Sequence, residues 1–340
     1  MVTLGFGHGD LPLRLRRVGA EVVEVDGGRL RRPLKVASTV RELTDLVRQR
    51  RIRVAIGNGT HPQVYVSLLS MVTGVRPVYF LHEIYRKPMW KNGIIDILAL
   101  LGPCDLLLAN SRASMAAISR LRPKVRVKLL YPGVPIPEVS LAASQQRRAE
   151  LGAGGDEVLF GVFGRLQRWK GQDIFVEAAA EVAKRLQQSR FVIVGGSVFG
   201  LEPEFDAGLR ARIGHLGLGP RFVLTGFRTD IPELMAACDV LCHTSRVAEP
   251  FGMVIVEGMA QGRPVIATEG GGPSEIIEDG VEGRLVPPGS PEHLARAMGE
   301  LGRDPSLRRR MGDAGRAKAR DAFSSSLMSE RLLSYLEELR

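Results

Sequence analysis

Two cations lie in a short segment between a strand-like run and a helix-like run. Arg165 and Lys170 follow the apolar run 158–163 and precede a helical stretch that begins near Gln172. Free backbone N–H groups and the positive end of a helix dipole meet on such a loop, and both favour anions. An arginine fork binds phosphate oxygens in pairs, and a lysine supplies a point charge. The pattern predicts a diphosphate site beginning at Gly164, although a solvated basic turn would have the same residues.

A pair of carboxylates marks a second segment. Glu249 lies just before a predicted helix over residues 253–261, and Glu257 lies about one turn into that helix. Gly252 lies between them and would let a ligand approach the backbone closely. Carboxylate oxygens accept hydrogen bonds from hydroxyl groups, so the pair suits a sugar and a ribose. An acidic residue at a helix start is also a common capping device, and the spacing alone does not separate the two interpretations.

Short apolar runs alternate with helix-like stretches along nearly the whole chain, which is typical of parallel α/β proteins with both sheet faces covered. The predicted strands of the first half cover residues 2–4, 21–25, 53–56, 78–81, 106–109 and 127–130. Those of the second half cover residues 158–163, 190–194, 221–225, 240–243, 264–268 and 283–286. We therefore expect an α/β fold with two Rossmann-like, doubly wound domains facing each other across a cleft, and ligands outside the carboxyl ends of the strands.

Prolines and small polar residues interrupt this alternation in the middle of the chain. Pro132, Pro135 and Pro137 precede the mostly small and polar residues 140–146 and the glycine-rich residues 152–155. Such a composition predicts a linker. The expected domains are an N-terminal domain over residues 1–140, a C-terminal domain over residues 155–322, and a C-terminal helix over residues 323–340 that packs back on the first domain.

In their order along the second half, these motifs resemble those of the family 4 retaining glycosyltransferases, which have the two-domain GT-B fold. The resemblance rests on Arg165-x4-Lys170, on Glu249-x7-Glu257 within an EPFG segment, on Ala-x-Gly-x-Pro-Val-Ile-Ala-Thr at 260–268, on Gly-Gly-Gly-Pro-Ser-Glu at 270–275, and on Asp-Gly-Val-Glu-Gly at 279–283. It covers essentially the whole second half. It implies a hexosyltransferase whose C-terminal domain, over residues 155–322, binds a nucleotide-sugar and whose N-terminal domain, over residues 1–140, forms the acceptor side, where His61 and Asn110 are candidates.

The resemblance also implies roles for the matching residues. Arg165 and Lys170 would contact the diphosphate, Glu257 the ribose, and Glu249 the neighbourhood of the transferred sugar. Gly195-Gly196-Ser197 occupies the place of the family's glycine loop, without the acidic residue often found there. The resemblance implies further donor contacts from Gly164, beside Arg165, and from Gly196 in this glycine loop. It also implies contacts from a turn that flanks the base, Phe227 and Arg228, and from the start of the helix that includes the EPFG segment: Phe251, Gly252 and Met253.

In the first half the resemblance is looser. His82 ends a predicted strand and matches a histidine that the family places in the cleft beside the donor sugar, although a strand-end histidine is often structural. Asn110 matches a serine-containing turn, where Ser111 is also a candidate helix cap. His61 is an acceptor-cleft candidate. Residues 1–26 look like the family's second strand, loop and helix, so the family's first strand–helix unit is expected to be missing, through either truncation or a different cleft.

For the reaction, the resemblance implies transfer of a sugar from a nucleotide-diphospho-sugar to an acceptor hydroxyl with retention of configuration. A covalent route would need a carboxylate beneath the anomeric carbon. The family is instead thought to use front-face attack, with the leaving diphosphate stabilised by Arg165 and Lys170. His82, Arg165, Lys170 and Glu249 are therefore the candidate catalytic residues. Two other functions stay open: a sugar-nucleotide epimerase or hydrolase of the same fold, and a degenerate subunit that binds nucleotide-sugar without catalysis.

A metal and a cofactor are not expected, and the nucleotide-diphospho-sugar is taken as substrate. No Asp-x-Asp triplet occurs, and no His/Cys cluster has ligand spacing. Cys238, Cys242 and His243 are close in sequence, but their apolar surroundings predict a buried strand rather than a zinc site.

The formal charge of the 340-residue chain is +10, and its excess lies in the first half. Residues 1–150 carry 24 basic and 11 acidic residues, whereas residues 151–340 carry 23 and 26. A basic half indicates an anionic partner. Aromatic residues make up only 6% of the chain and no nucleic-acid-binding module occurs, so an anionic or lipid-linked acceptor is favoured over nucleic acid.

Membrane contact is a related hypothesis. Arg86, Lys87, Trp90 and Lys91 precede the apolar run 94–101, a pattern suited to a helix lying on an anionic membrane, although packing against the sheet explains the run equally well. The cluster Arg29, Arg31, Arg32 and Lys35 could meet a phosphorylated or lipid-diphosphate acceptor. With three cysteines and no leader-like start, we expect a cytoplasmic protein; peripheral contact with the inner face of the membrane is the further hypothesis.

Overall fold

The computed structural model describes residues 2–5, 11–27, 30–85, 93–197 and 202–339. The chain divides into two compact units. The first comprises Met1–Asn110, Ser114–Leu129 and Tyr335–Arg340, and the second comprises Ser111–Ala113 and Leu130–Ser334. Arg29 and the basic segment with Arg86, Lys87, Trp90 and Lys91 lie outside the described residues.

The first unit contains two parallel sheets. Strands β1 (Val2–Gly5) and β2 (Glu21–Glu24) pair with each other. A four-stranded sheet follows in chain order: β3 (Val54–Asn58), β4 (Arg76–Leu81), β5 (Leu106–Ala109) and β6 (Val127–Leu129). The helices that alternate with these strands are α1 (Leu11–Arg17), α2 (Pro33–Arg50), α3 (Thr60–Thr73), α4 (Ile94–Leu101) and α5 (Arg112–Leu121).

The last residues of the chain belong to the first unit. The Tyr335 hydroxyl donates a hydrogen bond to the carbonyl of Leu129 (3.1 Å), at the end of β6. Glu338 forms ion pairs with Arg126 and Lys128, which flank and occupy the same strand. The C-terminal segment is therefore fastened to the edge strand β6.

The second unit contains one six-stranded parallel sheet. Its strands are β7 (Val158–Phe163), β8 (Ser189–Val194), β9 (Phe222–Gly226), β10 (Val240–His243), β11 (Val265–Thr268) and β12 (Gly283–Val286). The spatial order is β12-β11-β10-β7-β8-β9. This is the order of a Rossmann sheet, and the direction of winding reverses between β7 and β10.

The helices of this unit are α6 (Leu141–Glu150), α7 (Gln172–Arg185), α8 (Pro203–His215), α9 (Ile231–Ala237), α10 (Met253–Ala260), α11 (Pro273–Ile276), α12 (Pro291–Arg303), α13 (Pro305–Phe323) and α14 (Ser325–Glu337), whose last residues belong to the first unit. Successive side chains of β7 point to opposite sheet faces: Phe160 packs in one core cluster, and Leu159 and Phe163 pack in another. Burial on both faces explains why β7 is uniformly apolar in sequence. The predicted α/β class with parallel sheets is confirmed.

The predicted linker over residues 140–146 is wrong. This segment begins the helix α6, whose N-cap residue Ser140 accepts a hydrogen bond from the backbone N–H of Ala143 (3.2 Å). Alanine, glutamine and arginine are good helix formers, and serine is a favoured N-cap, so local propensity accounts for the helix. Arg148 then ties α6 to Asp239 with an ion pair of 2.8 Å.

Across the described residues, no helix is both long enough and apolar enough to span a bilayer.

Candidate functional site

The reversal of winding between β7 and β10 places two loops at the same edge of the sheet. Val162 of β7 lies opposite Cys242 of β10, so the two strands end side by side. The loop after β7 carries Arg165 and Lys170, and the loop after β10 carries Glu249. In open α/β sheets, ligands bind in this crevice. The two predicted motifs, about 80 residues apart in sequence, therefore meet at the switch point.

A half-buried ion pair joins these loops. Lys170 Nζ lies 2.6 Å from Glu249 Oε1, and the two side chains are 19% and 13% exposed. The same ammonium lies 4.1 Å from the ring centroid of Trp169, which adds a cation–π contact. The Trp169 indole N–H donates to the side-chain oxygen of Gln167 (3.1 Å). The lysine is thus held on three sides by a carboxylate, a ring and its own loop.

The second oxygen of Glu249 is held by two further side chains. His243 Nε2 lies 2.8 Å from Glu249 Oε2, and the Ser245 hydroxyl donates to the same oxygen at 2.7 Å. Burial would raise the pKa of Glu249, but the hydrogen bond from His243 and the charges of His243 and Lys170 outweigh it, and the pKa falls well below its usual range. Glu249 is therefore a fixed carboxylate rather than a proton donor.

Backbone contacts hold the two loops together. Gly171 has φ +67°, and a Cβ there would lie 2.1 Å from the carbonyl oxygen of Thr244. The Thr244 hydroxyl donates to the carbonyl of Lys170 (2.9 Å), and the N–H of Arg246 donates to the carbonyl of Trp169 (2.8 Å). Glycine is required at residue 171 because of both its backbone conformation and this close approach.

Arg165 differs from Lys170 in having no internal partner. Its side chain is exposed and makes no ion pair or hydrogen bond with any residue that the structure describes. Its carbonyl accepts a hydrogen bond from the buried amide of Gln172 (2.8 Å), which fixes the loop backbone. A second glycine loop packs alongside: a Cβ at Gly195 would lie 2.0 Å from the carbonyl oxygen of Gly164, and the N–H of Leu166 donates to the carbonyl of Gly196 (3.2 Å). The loop is rigid and leaves one guanidinium available.

Helix α10 also begins at the carboxyl ends of the strands, near the switch point. Gly252 precedes it with φ +102°, a conformation that favours glycine, and Met253, its first residue, is 39% exposed. Glu257 lies on the fifth position of the helix and is half-buried, and burial raises the pKa of its carboxyl. Across the described residues this carboxyl has no hydrogen-bond donor or cation as partner. A half-buried acid in the first turns of the helix, without a partner among the described residues, can accept hydroxyl hydrogen bonds.

Of three residues predicted to contact the donor, Phe251 and Arg228 have side chains engaged within the protein, and Phe227 has an exposed side chain. Phe251 is 3% exposed and packs against Tyr131 and Phe323 at ring-centroid distances of 5.8 and 5.7 Å. The Arg228 guanidinium donates to both carboxylate oxygens of Asp230 (2.8 and 2.6 Å) and pairs with Glu150. Phe227 is 77% exposed, so it is the side chain of that turn that a base could meet.

The remaining predicted residues lie in the first unit. His82 Nε2 lies 2.5 Å from the side-chain oxygen of Asn58, and burial lowers the pKa of His82. Burial also lowers the pKa of His61, whose ring meets Tyr65 edge-on at 5.5 Å. Asn110 is 3% exposed, and its buried side-chain oxygen has no hydrogen-bond partner within the described ranges. His82 and His61 are both half-buried, whereas Asn110 is buried.

The sequence reasoning missed His243, Ser245 and Trp169. His243 was interpreted only as part of a buried strand, and it is 5% exposed, but its ring also orients Glu249. The signal was a polar residue at the carboxyl end of β10, six residues before the acid. Cys238 and Cys242 are buried, and burial raises the pKa of both thiols. The part of the chain that the structure describes contains no group of three or more potential metal ligands.

The C-terminal unit is a Rossmann-like ligand-binding domain, because its six-stranded parallel sheet has Rossmann order and charged loops lie on both sides of the switch point. The solved structures similar to the whole chain are GT-B glycosyltransferases. The chain belongs to the family described as glycosyl transferases group 1, whose model matches residues 143–318.

Individual relatives agree with this family. The chain is 31% identical to the alpha-D-kanosaminyltransferase of Streptomyces kanamyceticus over 243 residues, which are 68% of this chain and 61% of that protein. It is 32% identical to the D-inositol 3-phosphate glycosyltransferase of Kribbella flavida over 62% of this chain and 51% of that protein. The matched region thus spans about half to three-fifths of these relatives.

Among solved structures, Anabaena Alr3699/HepE in complex with UDP and glucose matches 99% of this chain and 91% of its own, at 29% identity and a TM-score of 0.87. The same protein has also been solved with UDP-glucose.

Proposed function

We propose that this chain is a retaining glycosyltransferase of family 4 that moves a hexosyl group from a nucleotide-diphospho-sugar to an acceptor hydroxyl. The observation that carries the proposal is the pairing of Lys170 with Glu249 at the switch point, next to an unpartnered Arg165. Two cations and a fixed carboxylate on loops of different strands match a ligand that carries a diphosphate at one end and hydroxyl groups at the other. The UDP-glucose complex of the similar Anabaena protein makes UDP-sugars the first donors to test.

In this proposal each residue has a defined role. Arg165 and Lys170 bind the diphosphate oxygens, and the backbone N–H groups at the start of α10, from Gly252 and Met253, face the donor. Glu257 accepts hydrogen bonds from the ribose, because its carboxyl is half-buried and has no described partner. Glu249, held by three side chains, accepts from the sugar.

The chemical step we propose is front-face attack. The bond between the anomeric carbon and the leaving phosphate oxygen breaks, and the acceptor oxygen bonds to the same face of that carbon. The acceptor proton passes to the leaving phosphate oxygen. Negative charge grows on the diphosphate as the bond breaks, and preorganised cations stabilise it, typically by ~3–4 kcal/mol per key donor. His82, with its lowered pKa, is a neutral polar group for the acceptor side.

A donor panel tests this function without knowledge of the acceptor. The purified chain is heated with UDP, GDP, ADP and their glucose, galactose, mannose and N-acetylglucosamine derivatives, because a ligand raises the melting temperature by an amount set by its concentration relative to Kd. We expect one base to stand out, and slow hydrolysis of the matching sugar-nucleotide. Conversion of the donor to an epimer would favour an epimerase. Binding without any turnover would favour a degenerate subunit, and no binding at all would contradict the proposal.

We also propose that the acceptor side contacts an anionic membrane through α4. Ile94, Leu98 and Leu101 form one face of this helix and are 70%, 49% and 63% exposed, whereas Ala99 and Leu100 are buried. In sequence this exposed apolar stripe follows Arg86, Lys87 and Lys91, and a basic segment next to an apolar helix face fits contact with anionic lipid.

Flotation with phosphatidylglycerol vesicles tests this contact. The double variant Leu98→Gln, Leu101→Gln should lose most of the bound fraction. Leu141→Gln removes a leucine of α6 that is 72% exposed and should leave the bound fraction unchanged. Equal binding of both variants would eliminate this contact.

A further inference from the structure

A polar cavity of about 310 Å³ lies at the amino-terminal ends of the strands of the six-stranded sheet, whereas the switch-point loops lie at the carboxyl ends. Its walls include Asp239 and Pro264, which immediately precede β10 and β11, together with residues of α13. A four-residue strand spans roughly 13 Å, so an occupant of this cavity is separated from the carboxyl-end loops by the length of the strands.

Four arginines line this cavity, which we call the arginine pocket: Arg263, Arg308, Arg309 and Arg316. Among the residues that the structure describes, none of their guanidinium groups forms an ion pair with a carboxylate. Arg308 donates to the carbonyls of Leu301 and Gly302 (2.7 and 3.0 Å), and Arg316 donates to the carbonyl of Gln261 (3.1 Å). The carbonyl contacts orient the side chains without neutralising their charges.

Arg263 carries the clearest sign of a missing partner. Its Nε is buried and makes no hydrogen bond within the described ranges, and burial lowers the pKa of its guanidinium. A buried donor without an acceptor costs free energy comparable to a lost hydrogen bond. Asp239, which lines the same cavity, already accepts from Arg148 and from the backbone N–H of Leu159, both at 2.8 Å on the same oxygen.

The position of α13 is fixed by close packing. A Cβ at Gly312 would lie 2.2 Å from the carbonyl oxygen of Gly262, so the helix passes directly over the loop that contains Arg263. Arg308, Gly312 and Arg316 are spaced by four residues and share one helix face. Arg308 and Arg309 also lie just beyond the first turn of α13, near the positive end of its dipole, where further positive charge is unfavourable. The fold therefore holds an excess of positive charge in place.

We propose that the arginine pocket binds an anion with two or more phosphoryl groups, at a site separate from the donor site. Four guanidinium groups face one acid without a described partner, Asp313. Guanidinium forks match phosphoryl oxygens in bidentate geometry, and a polar cavity of this volume lies at the lower end of the range for small-ligand sites, which suits a diphosphate. A phosphoryl oxygen would supply the acceptor that Arg263 Nε lacks.

Calorimetric titration of inorganic pyrophosphate into the full chain, at constant ionic strength, tests this proposal. Arg309→Glu is the probing variant, because Arg309 is exposed and makes no hydrogen bond to the described residues, so the fold should survive. Arg310→Glu is the matched control: it makes the same charge change at the next residue, which is exposed and does not line the cavity. We expect Arg309→Glu to weaken one class of pyrophosphate site at least tenfold and Arg310→Glu to weaken it less than twofold.

The same titration in an Arg165→Ala background separates this site from the donor site. Binding at the arginine pocket should survive that substitution and disappear when Arg309→Glu is added. Equal weakening by Arg309→Glu and Arg310→Glu, or loss of all binding with Arg165→Ala alone, would overturn the proposal. Titration of ADP into the same Arg165→Ala variant shows which part of the ligand is recognised. Equal affinities for ADP and pyrophosphate would mean that the pocket binds the phosphoryl groups alone, and tighter binding of ADP would mean that its ligand is a nucleotide.

Discussion

Lys170 and Glu249, which come from loops after different strands, form an ion pair of 2.6 Å at the switch point of the C-terminal sheet. The second oxygen of the carboxylate is held by His243 and Ser245. In the proposed function, the Lys170 ammonium exchanges one oxygen of Glu249 for an oxygen of the diphosphate, and the carboxylate keeps its contacts with His243 and Ser245.

Replacing Lys170 should reduce turnover more than donor affinity. We expect Lys170→Ala to lower kcat for transfer or donor hydrolysis by about 10²–10³-fold, because a positioned donor of this kind stabilises charge that grows only in the transition state. The measurement is steady-state kinetics with the donor identified by the panel. Lys184→Ala removes an exposed lysine whose one ion pair among the described residues is with Glu181, and should leave kcat unchanged. A Lys170→Ala enzyme within threefold of the parent would refute the role of the lysine.

The lowered pKa of Glu249 gives stability a defined pH dependence. Its pKa in the folded chain lies below the ~4.3 of an unfolded glutamate, so its contribution is fully present above the unfolded value and is lost as pH falls toward the folded value. Urea unfolding of the parent and Glu249→Gln should give a free-energy difference that is constant from pH 7 to pH 5 and shrinks below pH 5. A difference that grows on acidification would contradict this assignment.

Gly171→Ala should destabilise the chain by at least ~2 kcal/mol, because the alanine would adopt φ +67° and place its Cβ 2.1 Å from the Thr244 carbonyl. Urea unfolding monitored by circular dichroism measures the change. Gly155→Ala is the matched control, since its Cβ would meet nothing within 4 Å and its φ is not positive. We expect the control to stay within ~0.5 kcal/mol of the parent. Similar losses for both variants would mean that the loop contact is unimportant.

His82 should titrate below the ~6.5 of a free histidine, because burial disfavours its charged form. Asn58→Asp places a carboxylate at the contact that Nε2 makes at 2.5 Å, and should raise the pKa of His82. Two-dimensional NMR of the imidazole nitrogens, recorded against pH, follows both. Asn58→Ser is the neutral control and should leave the pKa below 6.5. If Asn58→Asp leaves the His82 titration where it was, the two side chains do not interact in solution.

The strands could be predicted from the sequence because buried parallel strands are short, apolar and bounded by polar turns. The meeting of Lys170 with Glu249 could be anticipated only through the family resemblance, since their separation along the chain carries no distance information. His243 was missed because a histidine inside the run 240–243 satisfies a buried-strand pattern, and only the fold shows that its ring faces the acid. Helix α6 was missed because small polar residues are shared by linkers and by surface helices.

The C-terminal segment has a practical consequence for dissecting the protein. Tyr335 and Glu338 are joined to Leu129, Arg126 and Lys128 by noncovalent contacts, although about 200 residues of chain lie between them. A protease cut in the stretch 130–140 should therefore leave the first unit without the segment that packs on its edge strand β6, because that segment is covalently part of the other fragment. We expect a first unit produced by itself to need a fused or separately supplied copy of the last residues.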